Sequence, residues 1–121
     1  MKDILIVGLG GFIGSAARYA VYLSTAKYYA DKPYSGTLIV NLVGCLLIGL
    51  LSGGLIKLSN QTGLFLIAGL CGGFTTFSAF ALDGLKLIRD GMIMQFILYA
   101  SVSMVGGLVI CLAGFYLMNK A

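Results

Sequence analysis

Apolar residues form four long runs along the chain, separated by short charged segments. The runs cover residues 4–26, 36–56, 62–82 and 91–118, and Arg18 is the one charged residue inside them. Each run reaches the roughly 20 residues that a helix needs to cross the hydrocarbon of a bilayer. The pattern predicts an all-α membrane protein, with a single domain over residues 1–121 that contains four transmembrane helices.

The third run contains a segment that an uninterrupted membrane helix should avoid. Residues 69–80 include three glycines, two threonines and a serine, and each glycine costs a helix about 1 kcal/mol relative to alanine. Irregular backbone at membrane depth is tolerated only where it is buried in protein or lines a wet cavity. We therefore predict that the third helix is broken at mid-membrane, at Gly72-Gly73, and that this break is the functional centre.

Composition agrees with this interpretation. Hydrophobic residues make up 60% of the chain and charged residues 10%, whereas a soluble domain carries roughly a quarter charged residues. The net charge of +4 is scattered between the spans, as for lysines at membrane interfaces, so no nucleic-acid partner is expected. An aromatic belt at the membrane interface is predicted near the first loop, from Tyr19, Tyr22, Tyr28, Tyr29 and Tyr34.

The residues for common active sites are missing. The chain has no histidine, and its four aspartates lie apart in the sequence, so neither a zinc site nor an enzyme is expected. The three cysteines lie inside apolar runs and are expected to be buried thiols. The glycines at 8–14 resemble a dinucleotide-binding turn, but no strand–helix alternation follows them. Close helix packing is the preferred use of the four-residue glycine spacings, namely Gly10/Gly14, Gly49/Gly53 and Gly69/Gly73.

The charges that flank the spans are divided almost evenly between the two faces of the membrane. With four spans, one face carries Lys2, Lys57 and Lys120, and the other carries Lys27, Lys32, Lys86 and Arg89. Orientation normally follows an excess of Lys and Arg on the cytoplasmic side, and three against four is no excess. Four short helices also leave little room for a pathway within one chain. The sequence therefore predicts a dual-topology, antiparallel homodimer in the lipid bilayer.

Polar residues within the spans have two interpretations each. Arg18 either extends to the interface or faces a water-filled vestibule as a cation. Asn41 either joins two helices or donates hydrogen bonds in a pore. The hydroxyls of Thr75, Thr76 and Ser78 either bond back to their own helix or face a pathway.

Two further patterns favour a pathway. Tyr99 and Ser103 are four residues apart, on one face of the fourth span. Phe77 and Phe80 are three residues apart and share a face, which usually indicates core packing. Aromatic rings have positive edges, so two edges turned inward would attract an anion weakly enough for it to leave again. The absence of acids along this face favours anions over cations.

Three motifs, in this order, resemble the Fluc/CrcB family of bacterial fluoride channels over nearly the whole chain. They are Gly10-Gly11-x-x-Gly14-x-x-x-Arg18-Tyr19, Gly36-Thr37-Leu38-x-Val40-Asn41-x-x-Gly44 and Gly72-Gly73-x-Thr75-Thr76-Phe77-Ser78-x-Phe80. The resemblance implies a fluoride-selective passive channel that exports cytoplasmic fluoride through two antiparallel pores per homodimer. It also implies a location in the cell inner membrane.

The resemblance also assigns roles to individual residues. A structural sodium ion at the dimer interface would be held by the backbone carbonyls of Gly72 and Thr75. The residues implied to line the pore or bind fluoride are Arg18, Asn41, Thr76, Phe77, Ser78, Phe80, Tyr99 and Ser103.

The chain departs from the family pattern after Ser78. Relatives usually have a further hydroxyl residue, then phenylalanine, a small polar residue and a glutamate two positions later. Here Ala79, Phe80, Ala81 and Asp83 occupy those places. We expect a thinner polar track, in which Asp83 takes the role of the glutamate.

Two other functions are alternatives to a channel. Small multidrug exporters coupled to protons also have four spans, but they rely on a glutamate in the first span, and this chain contains no glutamate. A non-conducting scaffold protein would leave Asn41, Tyr99 and the Thr-Thr-Phe-Ser run without a purpose.

Overall fold

The computed structural model describes residues 1–120, and this part of the chain is helical apart from short connections. Its helices are α1 (Lys2–Tyr28), α2 (Ser35–Ser52), α3 (residues 60–74), α4 (Phe77–Arg89) and α5 (Ile93–Asn119). Within them, Leu64–Cys71 of α3 and Val102–Gly106 of α5 are π-helical. These five helices form four segments that are long and apolar enough to cross a membrane. The third segment consists of α3 and α4 together. The prediction of an all-α chain with four spans is confirmed.

The second span ends earlier than predicted. Its helix stops at Ser52 rather than at residue 56. Gly54 has a φ of +104°, which is a left-handed conformation that glycine adopts without a steric penalty. The amide of Leu55 then donates to the carbonyl of Leu50 at 2.9 Å and closes the helix end.

Glycines bring α1 and α3 into backbone contact. A Cβ atom on Gly14 would overlap the carbonyl oxygen of Leu70, and a Cβ atom on Gly69 would lie 2.8 Å from the carbonyl oxygen of Val7. Gly10 faces the backbone of Phe65 in the same way. Small residues allow this approach in membranes, where packing between helices replaces the hydrophobic driving force.

A second glycine contact joins α2 to α5. A Cβ atom on Gly49 would overlap the carbonyl oxygen of Cys111, and one on Gly53 would overlap that of Phe115. From the other side, a Cβ atom on Gly114 would lie 3.0 Å from the carbonyl oxygen of Leu46. The prediction that the four-residue glycine spacings serve close helix packing is confirmed.

The chain leaves helical geometry between α3 and α4, at two threonines. Thr75 has φ −90° and ψ 158°, and Thr76 has φ −154° and ψ 126°. The predicted position of the break is wrong, because Gly72-Gly73 lies in the last helical turn of α3. A Cβ atom on Gly73 would lie 2.6 Å from the carbonyl oxygen of Gly11, so this glycine is needed for the contact between α1 and α3.

Candidate functional site

Asn41 of α2 completes the hydrogen bonds of the extended segment. Its side-chain nitrogen Nδ2 donates to the carbonyl oxygen of Thr76 at 2.9 Å, and the amide of Thr76 donates to its Oδ1 at 2.8 Å. The side chain thus replaces the helical partner of the Thr76 amide and gives the Thr76 carbonyl a side-chain donor. The interpretation of Asn41 as a link between helices is correct, and its second N–H remains as a donor.

Thr76 also begins the next helix. Its hydroxyl oxygen accepts a hydrogen bond from the amide of Ala79 at 3.1 Å, which is the usual contact of a helix N-cap. The same oxygen lies 3.2 Å from Oγ of Ser78. By contrast, the hydroxyl of Thr75 donates back to the carbonyl of Cys71 at 2.9 Å. One threonine therefore ends α3 and the other starts α4.

These contacts direct the amides of Thr76 and Ala79 to side chains and away from two backbone carbonyls. In a continuous helix the carbonyl of Gly72 would accept from the amide of Thr76, but that amide donates to Asn41. The carbonyl of Thr75 would accept from the amide of Ala79, but that amide donates to the hydroxyl of Thr76. Two acceptors thus become available for another ligand.

Arg18 lies on the α3 side of the break. It is half-buried, and its Nε donates to the carbonyl oxygen of Gly73 at 3.1 Å. This contact uses one donor of the guanidinium group and places Arg18 beside the last turn of α3.

A cavity of about 270 Å³ lies on the α4 side of the break. Its walls come from α2, α4, α5 and the two threonines between α3 and α4. They are formed by Asn41, Cys45, Ile48, Thr75, Thr76, Phe77, Phe80, Ser103 and Met104. Thr76 and Phe80 are half-buried, whereas the side chain of Phe77 is 80% exposed in the single chain.

A row of four aromatic rings runs away from this cavity. The ring centroids of Phe77 and Phe80 are 5.7 Å apart, and those of Phe80 and Tyr99 are 5.1 Å apart. Tyr34 continues the row, with its centroid 4.9 Å from that of Tyr99. Tyr34, which is half-buried, thus packs against the buried Tyr99.

Hydroxyl groups also lie along the row of aromatic rings. The oxygen Oγ of Ser103 is buried and has no hydrogen-bond partner among residues 1–120. The hydroxyl of Tyr99 donates to Oδ2 of Asp83 at 3.1 Å. A second cavity, of about 290 Å³, begins there and is lined by Tyr34, Asp83 and charged residues near the end of α4. The aromatic row thus joins two cavities.

The structure brings most of the residues predicted for the site together. Asn41, Thr76, Phe77, Phe80 and Ser103 share the first cavity. Tyr99 stacks on Phe80 beyond it, and Ser78 contacts Thr76. Arg18 stands apart, on the carbonyl of Gly73.

Sequence reasoning missed several residues at the site. Cys45 lines the cavity, and its place one helical turn after Asn41 was a usable signal. Thr37 is buried, and its hydroxyl lies 3.3 Å from that of Tyr22. The position of Tyr34 depends on which helix lies beside α2, and no local pattern contains that information.

Comparison with known proteins gives consistent matches over almost the whole chain. The family model described as CrcB-like protein, Camphor Resistance (CrcB), matches residues 5–115. A protein of Flavobacterium psychrophilum named fluoride-specific ion channel FluC is 42% identical over 124 residues, covering 99% of each chain. Proteins with the same name from Chlorobium luteolum and Pseudomonas putida are each 43% identical. They cover 93% and 92% of this chain, and 88% and 92% of their own lengths.

Proposed function

The chain belongs to the CrcB family and is a multi-pass fluoride channel rather than an enzyme, and from this premise we propose how it passes the ion. A fluoride ion that leaves water needs partners that are numerous and individually weak. The polar groups and aromatic ring edges around the cavity offer such partners. The observation that carries the proposal is the cavity between Asn41, Phe80 and Ser103, which continues into the row of aromatic rings.

The donors along this path suit an anion. The second N–H of Asn41 and the unpartnered hydroxyl of Ser103 supply hydrogen bonds, and the edges of Phe77 and Phe80 supply partial positive charge without a fixed cation. Beyond Phe80, the hydroxyl of Tyr99 is engaged by Asp83. Ser78 and Thr76 add hydroxyls at the start of α4, where the helix dipole favours negative charge.

The proposed assembly is an antiparallel homodimer with two pores. Phe77 is largely exposed in the single chain, so a second copy is needed to close the cavity around it. The nearly equal numbers of basic residues on the two faces favour insertion in both orientations. Each pore would then be lined by residues of both subunits.

A structural sodium ion at the dimer interface fits the donors that the chain supplies. Sodium is a hard cation and takes oxygen ligands, as calcium and magnesium do. The carbonyls of Gly72 and Thr75 are the two acceptors that lose their helical amides to side chains. Two copies of the chain would supply four such oxygens. The ion would neutralise carbonyl dipoles where two broken helices meet.

We place the channel in the cell inner membrane, where it would export fluoride that has entered the cell as the neutral acid. No energy source is required, because the ion leaves down its electrochemical gradient. The multidrug-exporter alternative is abandoned, since the chain matches the channel family from residue 5 to residue 115.

Purified protein in liposomes should release fluoride rapidly once potassium is made permeant by valinomycin. Chloride loaded in the same way should remain inside, because a larger anion does not fit the dehydrated path between Phe80 and Ser103. A fluoride electrode and a chloride electrode record the two releases. Equal rates for both ions, or release driven only by a proton gradient, would contradict the proposed mechanism.

The proposed assembly makes a separate prediction. Native mass spectrometry of the purified protein should give the mass of two chains plus one sodium ion. The sodium should be lost in Asn41→Leu, because Asn41 then no longer holds the amide of Thr76 away from the carbonyl of Gly72. Reporters fused to the C-terminus should be active on both sides of the membrane. A monomer, or activity on one side only, would overturn the antiparallel dimer.

A further inference from the structure

We propose that Arg18 is a positioning residue which caps the C-terminal end of α3 and thereby determines which carbonyls at the break remain free. The starting observation is the hydrogen bond from Nε of Arg18 to the carbonyl oxygen of Gly73, at 3.1 Å. It joins residues 55 positions apart. Among the side-chain hydrogen bonds of residues 1–120, it alone connects α1 with α3.

The register of this contact is fixed by glycines. Gly14 lies against the backbone of Leu70 and Phe74 so closely that a Cβ atom would overlap it. Arg18 follows Gly14 by one helical turn, on the same face of α1. Its side chain is therefore held beside the last turn of α3, with little freedom for the two helices to slide.

The end of α3 needs such a partner. The last carbonyls of a helix have no amide within the helix, and in an apolar span water does not replace it. The carbonyl of Cys71 accepts from the amide and the hydroxyl of Thr75. That of Gly73 accepts from Arg18. A cation at this end also interacts favourably with the helix dipole.

The same contact selects among the acceptors at the break. Helix continuation would have given Gly72, Gly73, Phe74 and Thr75 an amide each. Arg18 occupies the carbonyl of Gly73, while Asn41 and Thr76 take the amides that belong to its neighbours. The carbonyls of Gly72 and Thr75 are thus the two whose amides are taken by side chains, and they are left available. This inference rests on the proposed function only in the use that it gives those two carbonyls.

Arginine and glutamine allow the hydrogen bond to be separated from the charge. The Nε of arginine and the amide nitrogen of glutamine are the same number of bonds from Cα, so Arg18→Gln keeps a donor within reach of Gly73 and removes the charge. Arg18→Leu removes both, and Arg18→Lys keeps the charge on a longer stem. Arg89→Leu is the matched control, because Arg89 is exposed at the end of α4.

Amide hydrogen exchange, followed by mass spectrometry on the detergent-solubilised protein, tests the proposal without any flux measurement. We expect peptides covering residues 72–80 to exchange about tenfold faster in Arg18→Leu, in line with the loss of one charge-assisted hydrogen bond. Arg18→Gln should restore most of the protection, and Arg89→Leu should leave it unchanged.

Other results for the amide exchange of these variants would contradict the proposal. Protection retained in Arg18→Lys but lost in Arg18→Gln would show that a neutral donor at the Nε position does not protect the break, and would overturn the cap as proposed. Native protection in Arg18→Leu would overturn it as well. If Arg18→Leu is not recovered as folded protein, recovery of Arg18→Gln supports the cap, whereas recovery of Arg18→Lys alone contradicts it. Fluoride flux that fails with normal exchange would count against the proposed function and not against this inference.

Discussion

Replacing Asn41 with leucine is expected to destabilise the protein and to stop most fluoride flux. The leucine has a similar size but leaves the amide and the carbonyl of Thr76 without the partners that Asn41 gives them. Each group left unpaired costs about 1–3 kcal/mol, so the free energy of unfolding should fall by about 2–6 kcal/mol. The pore loses a donor at the same time, and a hydrogen bond to a charged group is worth about 1.5–3 kcal/mol, or roughly 10–100-fold in rate.

Thermal unfolding monitored by size-exclusion chromatography and fluoride release from liposomes measure the two effects separately. Asn41→Asp is the informative companion, because it keeps an acceptor for the amide of Thr76 but sets an oxygen against its carbonyl. Asn119→Leu is the control, since Asn119 is exposed at the end of α5. Native stability and flux in Asn41→Leu would mean that the extended segment is held by other contacts.

The position of the break shows what the sequence alone could and could not supply. The glycines of residues 69–73 have a low helix propensity, and on that basis they predicted a weak point in the helix. Their actual use is contact between helices: Gly73 has no room for a Cβ atom beside Gly11. The helix ends at Thr75 because Asn41, from another helix, takes over the hydrogen bonds of Thr76. A contact across 35 residues has no local pattern.

One local signal did point to the correct place. Thr76 precedes a helical pattern that begins at Phe77, and threonine is a favoured N-cap residue. Its hydroxyl accepts from the amide of Ala79, as that rule predicts. The glycines marked the end of α3 about three residues too early. The N-cap threonine marks the start of α4 correctly.

Site residues were predictable from the sequence when their residue type is unusual within an apolar span. They were not predictable when their role depends on which helix packs beside them. An amide in an uncharged span and two phenylalanines on one face were identifiable from their types and spacing, and the structure places Asn41, Phe77 and Phe80 around one cavity. Tyr34 resembled any interfacial tyrosine, and Cys45 any buried thiol. Their roles follow from α2 packing against α5, which brings Tyr34 onto Tyr99.

The second large effect is expected from Phe80, whose ring lies between two others. Its centroid is 5.7 Å from that of Phe77 and 5.1 Å from that of Tyr99. Phe80→Ile keeps an apolar side chain but removes the ring edge from the path and breaks the aromatic row. The ion then loses one of the few weak partners that replace its water, so fluoride flux should fall by about tenfold, the equivalent of roughly 1.4 kcal/mol.

Phe12→Ile is the matched control, because Phe12 is 73% exposed on α1 and lies outside the cavity. Its flux should equal that of the native protein, while Phe80→Ile should lose flux although it still folds, with a free energy of unfolding lowered by about 1–3 kcal/mol through the two lost ring contacts. A loss of flux that follows unfolding in both variants would reduce Phe80 to a packing residue. Unchanged flux in folded Phe80→Ile would remove the ring edges from the permeation path, and the donors of Asn41 and Ser103 would then have to carry the selectivity alone.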